Sequence, residues 1–539
     1  MVKIAVLIDG DKVQRFALDC LDAISGTDEI TIFSCTNSRW RRNWLRHGAY
    51  YLLNLAAVRN RLTRAVPIAS GRKRIAHRVE FASDYDGVWQ KLPPDVVGAL
   101  ASGGFDVVLK FGMGLLRVPD ARELPVPILS YHHGDPDHYR GRPAGFWEIV
   151  DGAPVLGQVV QVIGNRLDAG RVVAFAETRV IPWSYRATLM EAFRHSPLII
   201  NAAIRNAVDG AAIDKRSEGR NCRLPSSGQT TLFTLKMASR FVTRLLYGAF
   251  IEKGWRVSTA PGGTKRVADL VAGKPWPPSA AWTDLPIARG YSIYADPFFT
   301  TQPPGIVLEA LDARTGIGRI LFIDGDEQRI VTNANGHMSY PSVATIAGRE
   351  LVLPEMASWS EPRLYSFRID QLESTQELKI EGDPRLTDAT LFDHRGRVFL
   401  FANRKDIGSN TLYLWSGETL DEELTLHPAS PIRISPEGAR MGGALLELDG
   451  RLIRFGQDLT RGYGDGLFAF EIESLTLDAY KERLLGRIGF SDRKGPHTIN
   501  ANADEIVFDW YRDRLSLLAG LRRIAGRRRI GNDGSNALV

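Results

Sequence analysis

The hydrophobic pattern changes texture along the chain, and each change predicts a different kind of structure. Over roughly residues 1–210, apolar runs alternate with segments of helical spacing. Lys3 to Ile8 is an apolar run closed by the turn Asp9-Gly10-Asp11. Phe16, Leu18, Leu21 and Ile24 then recur at helical intervals, and Ile30 to Phe33 forms a second run. Strand, helix, strand in that order predicts a nucleotide-binding-like (Rossmann-like) βαβ opening on a parallel sheet. Further strands are expected at Asp106 to Lys110, at Val126 to Leu129 and as a pair across Val159 to Phe175, with two apolar helices over Ser184 to Val208. No G-x-G-x-x-G follows the first strand, so a dinucleotide site is not expected.

From Lys215 to Thr230 the chain turns polar and rich in Gly, Ser and Arg, which reads as a linker. Thr231 to Gly254 is helical again, a docking element, and Val271 to Leu285 brings prolines and a second break. Beyond Tyr291 come short strands such as GRILFID, RVFLFAN, NTLYLWS and GLFAFEIE, with turns about every 8–12 residues. Roughly twenty such strands, ending near Asn500, suit five blades of four strands, a five-bladed β-propeller; a double-sheet sandwich is the alternative. The fold class is multidomain, α/β followed by all-β. The expected boundaries are 1–210 for the α/β domain, 211–285 for a linker with its docking helix, 286–505 for the propeller and 506–539 for a tail.

Composition narrows the class. At 539 residues the chain exceeds one core, since single cores rarely grow past ~250–300 residues. Apolar content of 44% and charged content of 24% are those of a globular protein. Cys20, Cys35 and Cys222 show neither metal-ligand spacing nor a paired framework, which points to a reducing compartment and to no metal. The first residues enter a strand without a leader pattern, and no apolar run reaches the ~18 residues of a membrane span. A cytoplasmic protein is expected.

The net charge of +6 is mild, but its placement is not even. Arg39 to Arg78 holds ten arginines and Lys73 with no acid from Ile30 to Val79, interleaved with Trp40, Trp44, Tyr50, Tyr51 and several leucines. This predicts a basic amphipathic helix on an anionic membrane surface, at the inner face of the membrane. The alternatives are a helix packed on the sheet with a solvated basic face, or one facing a sugar-nucleotide diphosphate. Phe508 to Ile530 repeats the texture, with leucines among Arg512, Arg514, Arg522, Arg523 and Arg527 to Arg529. It is either a second anchor or a helix strapped across the propeller. Nucleic acid is not an expected partner.

The richest chemistry lies in Ser130 to Gly152, SYHHGDPDHYRGRPAGFWEIVDG, where an apolar strand opens into a loop of His, Asp, Tyr and Arg. Strand ends are where α/β sheets present their chemistry. His132 and His133 alternate faces there, so either is the candidate catalytic imidazole. The segment resembles the core of the folate-dependent formyltransferase family. Aligning Tyr139-Arg140-Gly141 with that family's Tyr-Arg-Gly places His132 on the catalytic His. Asp168, in Leu167-Asp168-Ala169-Gly170, then falls on the catalytic Asp. Phe105 to Leu116 (FDVVLKFGMGLL) is similar to the strand and glycine loop before the site. The resemblance implies 10-formyltetrahydrofolate as cofactor, held by Phe111, Gly112, Gly114, Leu115, Tyr139, Arg140 and Gly141, with His132, Asp168, Ser130 and His133 as the catalytic group. Two departures stand out. The family's Asn is Ser130 here, and Gly134-Asp135-Pro136-Asp137 replaces the usual Pro-Ser-Leu-Leu-Pro loop.

The second half resembles the five-bladed propellers of furanosidase-like glycoside hydrolases, and more closely the N-terminal region of plant glucosamine inositolphosphorylceramide transferases. The residues that carry this include Ala295-Asp296-Pro297-Phe298-Phe299, Ser339-Tyr340-Pro341, Leu353-Pro354-Glu355, Thr387-Asp388, Ala439-Arg440, Gln457-Asp458 and Tyr463-Gly464. Asp296, Glu309, Glu355, Asp388, Arg440, Gln457 and His497 are expected to line a central funnel that binds sugar. The other reading is that they cap turns and tie blades together. Taken together, the two resemblances imply formyl transfer to an amino sugar, nucleotide- or lipid-linked, in glycan synthesis. The rival is a glycosidase, glycosyltransferase or glycan-binding protein that acts through the propeller.

Overall fold

In the computed structural model the described residues are 2–38, 43–332, 336–356, 362–368 and 370–529. They form two compact units, Met1–Thr243 and Arg244–Val539. Unit 1 is built on a seven-stranded sheet. Its strands are β1 (Ile4–Asp9), β2 (Glu29–Cys35), β3 (Arg74–Phe81), β4 (Val107–Lys110), β5 (Ile128–His132), β6 (Val155–Val162) and β7 (Arg171–Arg179). The order is β7-β6-β5-β4-β1-β2-β3. The pairs from β3 through β5 are parallel, and β6 and β7 are antiparallel additions. The central strands are continuous apolar runs because both faces are covered. Ala5, Leu7, Phe33, Val108 and Ile128 share one buried cluster. The helices of this unit are α1 (Arg15–Asp22), α2 (Trp44–Leu53), α3 (Pro94–Ser102), α4 (Phe146–Asp151), α5 (Tyr185–His195) and α6 (Ile200–Val208).

Two expectations for this unit change. The Arg39–Arg78 segment is not one helix: α2 stops at Leu53, a single π turn follows to Val58, and Arg74 and Arg78 lie on β3 at the sheet edge. Arg74–Phe81 pairs in parallel with β2, with one register shift between Ile30 and Thr31, which a helix cannot do. Arg39 to Arg42 lie outside the described residues. Nor is Lys215–Thr230 a free linker. Lys215 bridges Asp135 and Asp137, Arg220–Cys222 pairs as a strand with Tyr139–Gly141, and α7 (Ser227–Phe250) already begins at Ser227.

Unit 2 is a set of antiparallel sheets. Its first strand, β8 (Ile251–Pro261), precedes α8 (Gly263–Val271). Four sheets follow in sequence, each starting from one strand: β9 (Tyr291–Thr301), β10 (Ser339–Ile346), β11 (Leu386–His394) and β12 (Glu437–Met441). The fifth sheet joins β8 to the chain's later strands β13 (Ile499–Ala501) and β14 (Glu505–Leu515), and Ile251↔Leu515 through Pro261↔Glu505 are in register. Five separate sheets replace the two large ones of a sandwich. The pairing with β8 also moves two boundaries: 251–284 belongs with the β unit, and Phe508 to Leu515 is strand, not tail helix. Among the described residues there, α9 (Ala519–Arg529) is the helix.

The first strands of these sheets share a local device. β9, β10, β11 and β12 each carry a register shift, between Ala295 and Phe298, Ser339 and Ser342, Thr387 and Thr390, and Glu437 and Arg440. In the first three, a non-glycine takes a left-handed conformation at the shift: Asp296 (φ 49), Tyr340 (φ 43) and Asp388 (φ 47). Bulges re-aim side chains, and such backbone strain gathers at functional sites. Hydrogen bonds then link first strand to first strand. The Tyr340 and Thr390 hydroxyls meet at 3.1 Å, Gly443 N–H donates to the Tyr340 hydroxyl at 3.0 Å, Ile499 N–H to the Gly442 carbonyl at 3.0 Å, and the Asn500 amide to the Pro297 carbonyl at 2.7 Å.

Candidate functional site

Each unit gathers reactive side chains at one place. In unit 1 the place is the C-terminal end of β4 and β5. Strand alternation separates the two histidines. His132 is buried with Nδ1 3.5 Å from Asp168 Oδ2 and Nε2 3.0 Å from the Tyr139 carbonyl oxygen. A carbonyl only accepts, so Nε2 carries the proton in that bond. His133 points the other way, into Phe16 and Phe193, and Nε2 lies 2.9 Å from the Ser196 hydroxyl. Burial, with His132 nearby, pulls its pKa down to about 3, so it is a neutral core imidazole.

Asp168 takes a left-handed conformation (φ 45), and its Oδ2 also accepts the Gly141 N–H at 2.8 Å. The Tyr-Arg-Gly segment is thereby tied to the Asp. Gly141 is required there, because its φ is +88 and a Cβ would run into the Cys222 carbonyl. Arg140 donates to the Gly219 carbonyl at 2.7 Å, and the Tyr139 hydroxyl to Asp151 at 3.0 Å. The Asp135–Asp137 loop beside them is pinned by Lys215, 2.9 Å from Asp135 and 3.7 Å from Asp137.

Ser130 sits on β5 in register with Lys110 of β4. Lys110 is the residue that sequence reasoning passed over, since a lysine closing an apolar strand reads as a solvated end. Its ammonium donates to the Met113 carbonyl at 3.2 Å. Burial pulls its pKa down to about 8, opposed by the carboxylates of Asp168 and Asp9.

The cofactor implied by the resemblance fits this end of the sheet. Phe111 is buried, Leu115 is partly exposed, and Gly112 (φ +71) leaves open space where a side chain would stand. Gly114 is fixed by its N–H to Gln90 at 3.2 Å. The open space at Gly112 beside the exposed Leu115 leaves room for a flat ring at this loop. On the inner side, His132, Tyr139, Trp147, Glu148 and Cys222 line a cavity of about 10 Å³, the room of one water. Burial raises Glu148 there to about 7.

In unit 2 the residues expected in a funnel come together. Arg440 holds Asp388 with two N–H groups, one at 3.0 Å, and Gln457 donates to the same carboxylate at 2.8 Å. Glu355 accepts the Asp388 N–H at 3.3 Å and lies 3.5 Å from Lys405. His497 Nδ1 faces Asp509, and its Nε2 is 3.7 Å from Asp296. Asp509 also accepts the backbone N–H groups of Asp296, His497 and Thr498, so its carboxylate anchors both segments that carry Asp296 and His497. Trp255 stacks on His497 at 4.2 Å, and Tyr463 lies 5.1 Å from the Arg440 guanidinium. Asp509, Trp255, His337 and Lys405 carried no signal in the sequence, because the fold brings them in from distant strands.

Burial dominates the electrostatics. It pushes Asp296 and Asp388 up to about 6 even though His497 and Arg440 oppose it. Glu309, faced by Asp296, Glu355 and Asp388 as well as buried, is held far above the carboxylate range. His337 Nδ1 accepts the Gly318 N–H at 2.8 Å, leaving Nε2–H toward Glu309 at 3.7 Å. Burial, helped by Lys405, lowers His337 to about 4. Burial and the neighbouring carboxylates therefore favour the protonated form of Glu309 more strongly than that of Asp296 or Asp388. His497 stays above its usual range: burial lowers it, but Asp509, Asp296 and Asp388 outweigh that.

Comparison with known proteins divides along the same line. The family model described as glucosamine inositolphosphorylceramide transferase 1, N-terminal, matches residues 326–503. A glucosamine inositolphosphorylceramide transferase 1 from Oryza sativa subsp. japonica is 31% identical over 214 residues, which is 36% of this chain and 29% of that protein. Its counterpart from Arabidopsis thaliana is 28% identical over 221 residues, 38% of this chain and again 29% of the relative. The match thus spans less than a third of these relatives. Among solved structures, glycinamide ribonucleotide transformylase 1 from Symbiobacterium toebii aligns over 42% of this chain and 94% of its own at 18% identity, TM-score 0.27. An N-formyltransferase from Helicobacter canadensis, in complex with folinic acid and dTDP-3-aminofucose, aligns over 41% and 71% at 11% identity, TM-score 0.26.

Proposed function

We propose that unit 1 transfers a formyl group from 10-formyltetrahydrofolate to the amine of an amino sugar, nucleotide- or lipid-linked, in glycan assembly. One observation carries the reading: His132 is held between the Asp168 carboxylate and the carbonyl of the Tyr-Arg-Gly segment at an open strand end. The bound folate would rest on Phe111, Gly112, Gly114 and Leu115 and supply an activated formyl carbon; the amine's C–N bond forms, the donor's C–N bond breaks, and one proton passes between the two nitrogens. His132 carries that proton on Nδ1, the ring nitrogen that Asp168 faces, because Nε2–H is already bonded to the Tyr139 carbonyl. Asp168 orients the ring and stabilises its charged form. Arg140 and Gly141 keep the loop closed on Asp168. With His133 buried and neutral, kcat should separate the pair: His132→Ala should lose at least about 10³-fold and His133→Ala less than about tenfold. Equal small losses would sink the reading.

Unit 2 then holds the glycan side of the substrate. We take its five sheets as blades of a propeller. Its first strands are joined in a chain of hydrogen bonds, and one sheet is completed by strands from both ends of the unit. A second reading puts the chemistry here, with unit 1 non-catalytic. It is favoured by Glu309, which burial among Asp296, Glu355 and Asp388 holds above the carboxylate range, beside other carboxyl groups of the kind that glycoside cleavage uses. Formylated product from the intact chain separates the two readings.

The proposal also places the chain against an anionic membrane surface on the cytoplasmic side, where its three buried free thiols persist. No described helix is long and apolar enough to cross a membrane. Exposed apolar side chains instead gather at one end of unit 2, Leu245 and Leu246 on α7 with Leu515, Leu517, Leu518, Leu521 and Ile524. Arg523 ties the two segments by donating to the Gly248 and Ile251 carbonyls.

A further inference from the structure

The resemblance of unit 1 leaves one chemical gap. Formyl transfer gathers negative charge on the transferred carbonyl oxygen, and the residue expected to donate to it is Ser130. A serine hydroxyl reaches less far than the amide it replaces. The next strand supplies what Ser130 lacks. Lys110 pairs in register with Ser130 across parallel strands, so both side chains rise from the same face of the sheet, with His132 two residues along β5. Its ammonium has three N–H donors, of which the Met113 carbonyl takes one. The Asp168 and Asp9 carboxylates act on its charge. The strand is otherwise apolar (Val107, Val108, Leu109).

We propose that Lys110 is the oxyanion donor of this site, its ammonium bonding the oxygen of the formyl group in place of an asparagine amide. This role rests on the formyl-transfer reading. Lys110 changes no covalent bond and keeps its proton throughout; His132 handles the proton that leaves the amine. The sign of the pH dependence follows. Burial brings Lys110 down to about 8, so the donor is charged below that pH and is lost above it. Activity should fall as pH rises through about 8.

The test uses the full chain with 10-formyltetrahydrofolate and an amino-sugar nucleotide. Lys110→Met should lower kcat by about 10²–10³-fold, the usual effect of removing one oxyanion donor, with KM for the amino sugar little changed. Lys110→Arg should recover much of the rate and move the alkaline limb upward. A readout without turnover is NMR of the reductively methylated protein. One lysine resonance should titrate near pH 8, vanish in Lys110→Met and shift to lower pH in Asp168→Asn. Lys110→Met with kcat within about threefold of the unsubstituted protein, or an alkaline limb unmoved in Lys110→Arg, overturns the role. If the unsubstituted protein formylates no amino sugar, the reading of the site falls and this role with it. If formylation proceeds but no lysine titrates near pH 8, only the role of Lys110 falls.

Discussion

At the scale of single residues, both sites depend on charges that the fold takes out of water. Asp388 and Arg440 are the clearest pair: both are almost completely buried, joined through two N–H groups, and backed by Gln457. Removing one member of such a pair strands the other without solvent or partner, at a cost of about 3–5 kcal/mol. Arg440→Met should therefore lower the stability of unit 2 by that order, read by chemical denaturation. Arg440→Met combined with Asp388→Leu should recover much of it. If the single substitution costs less than about 1 kcal/mol, the pair is more solvated than this account holds. What the sequence shows of such residues depends on their motif. Asp296, Asp388 and Arg440 sit in short motifs at the strand bulges, whereas Asp509 and His337 reach the same cluster from plain strand or loop text.

At the scale of elements, periodicity located β1, α1 and β2 closely, because a buried parallel strand and an amphipathic helix leave unlike patterns. It misjudged the basic stretch after Cys35. Charge density suggested a helix there, but backbone pairing with β2 decided that Arg74–Phe81 is a strand. It also misplaced Phe508–Leu515, whose partner β8 lies some 250 residues earlier and is invisible to any local window. The element-level consequence concerns α7 and the segment from Leu515 to Ile524. Leu515 and Leu517 are 78% and 79% exposed, alongside Arg514 and Arg522. An exposed leucine cluster with arginines binds anionic lipid by burial and charge together. The intact protein should sediment with vesicles containing anionic lipid, be released at ~1 M salt, where the Debye length falls to ~3 Å, and bind neutral vesicles much less. Leu517→Asp with Leu521→Asp should abolish sedimentation. Intact protein left in the supernatant at low salt would mean that these leucines meet another surface.

At the scale of the molecule, one chain joins an α/β unit that ends in a His–Asp pair to a β unit whose first strands gather buried acids. The sequence made this division readable, since helical and strand textures do not mix, although contacts carried the boundary to residue 243. Each half has its own resemblance. The central claim is transfer itself. The direct measurement is mass spectrometry of a reaction containing the full chain, 10-formyltetrahydrofolate and a panel of UDP- and dTDP-amino sugars. The account predicts an N-formyl sugar that depends on the folate and disappears in Asp168→Asn. No formylated product from any member of the panel, or undiminished product from Asp168→Asn, would contradict it.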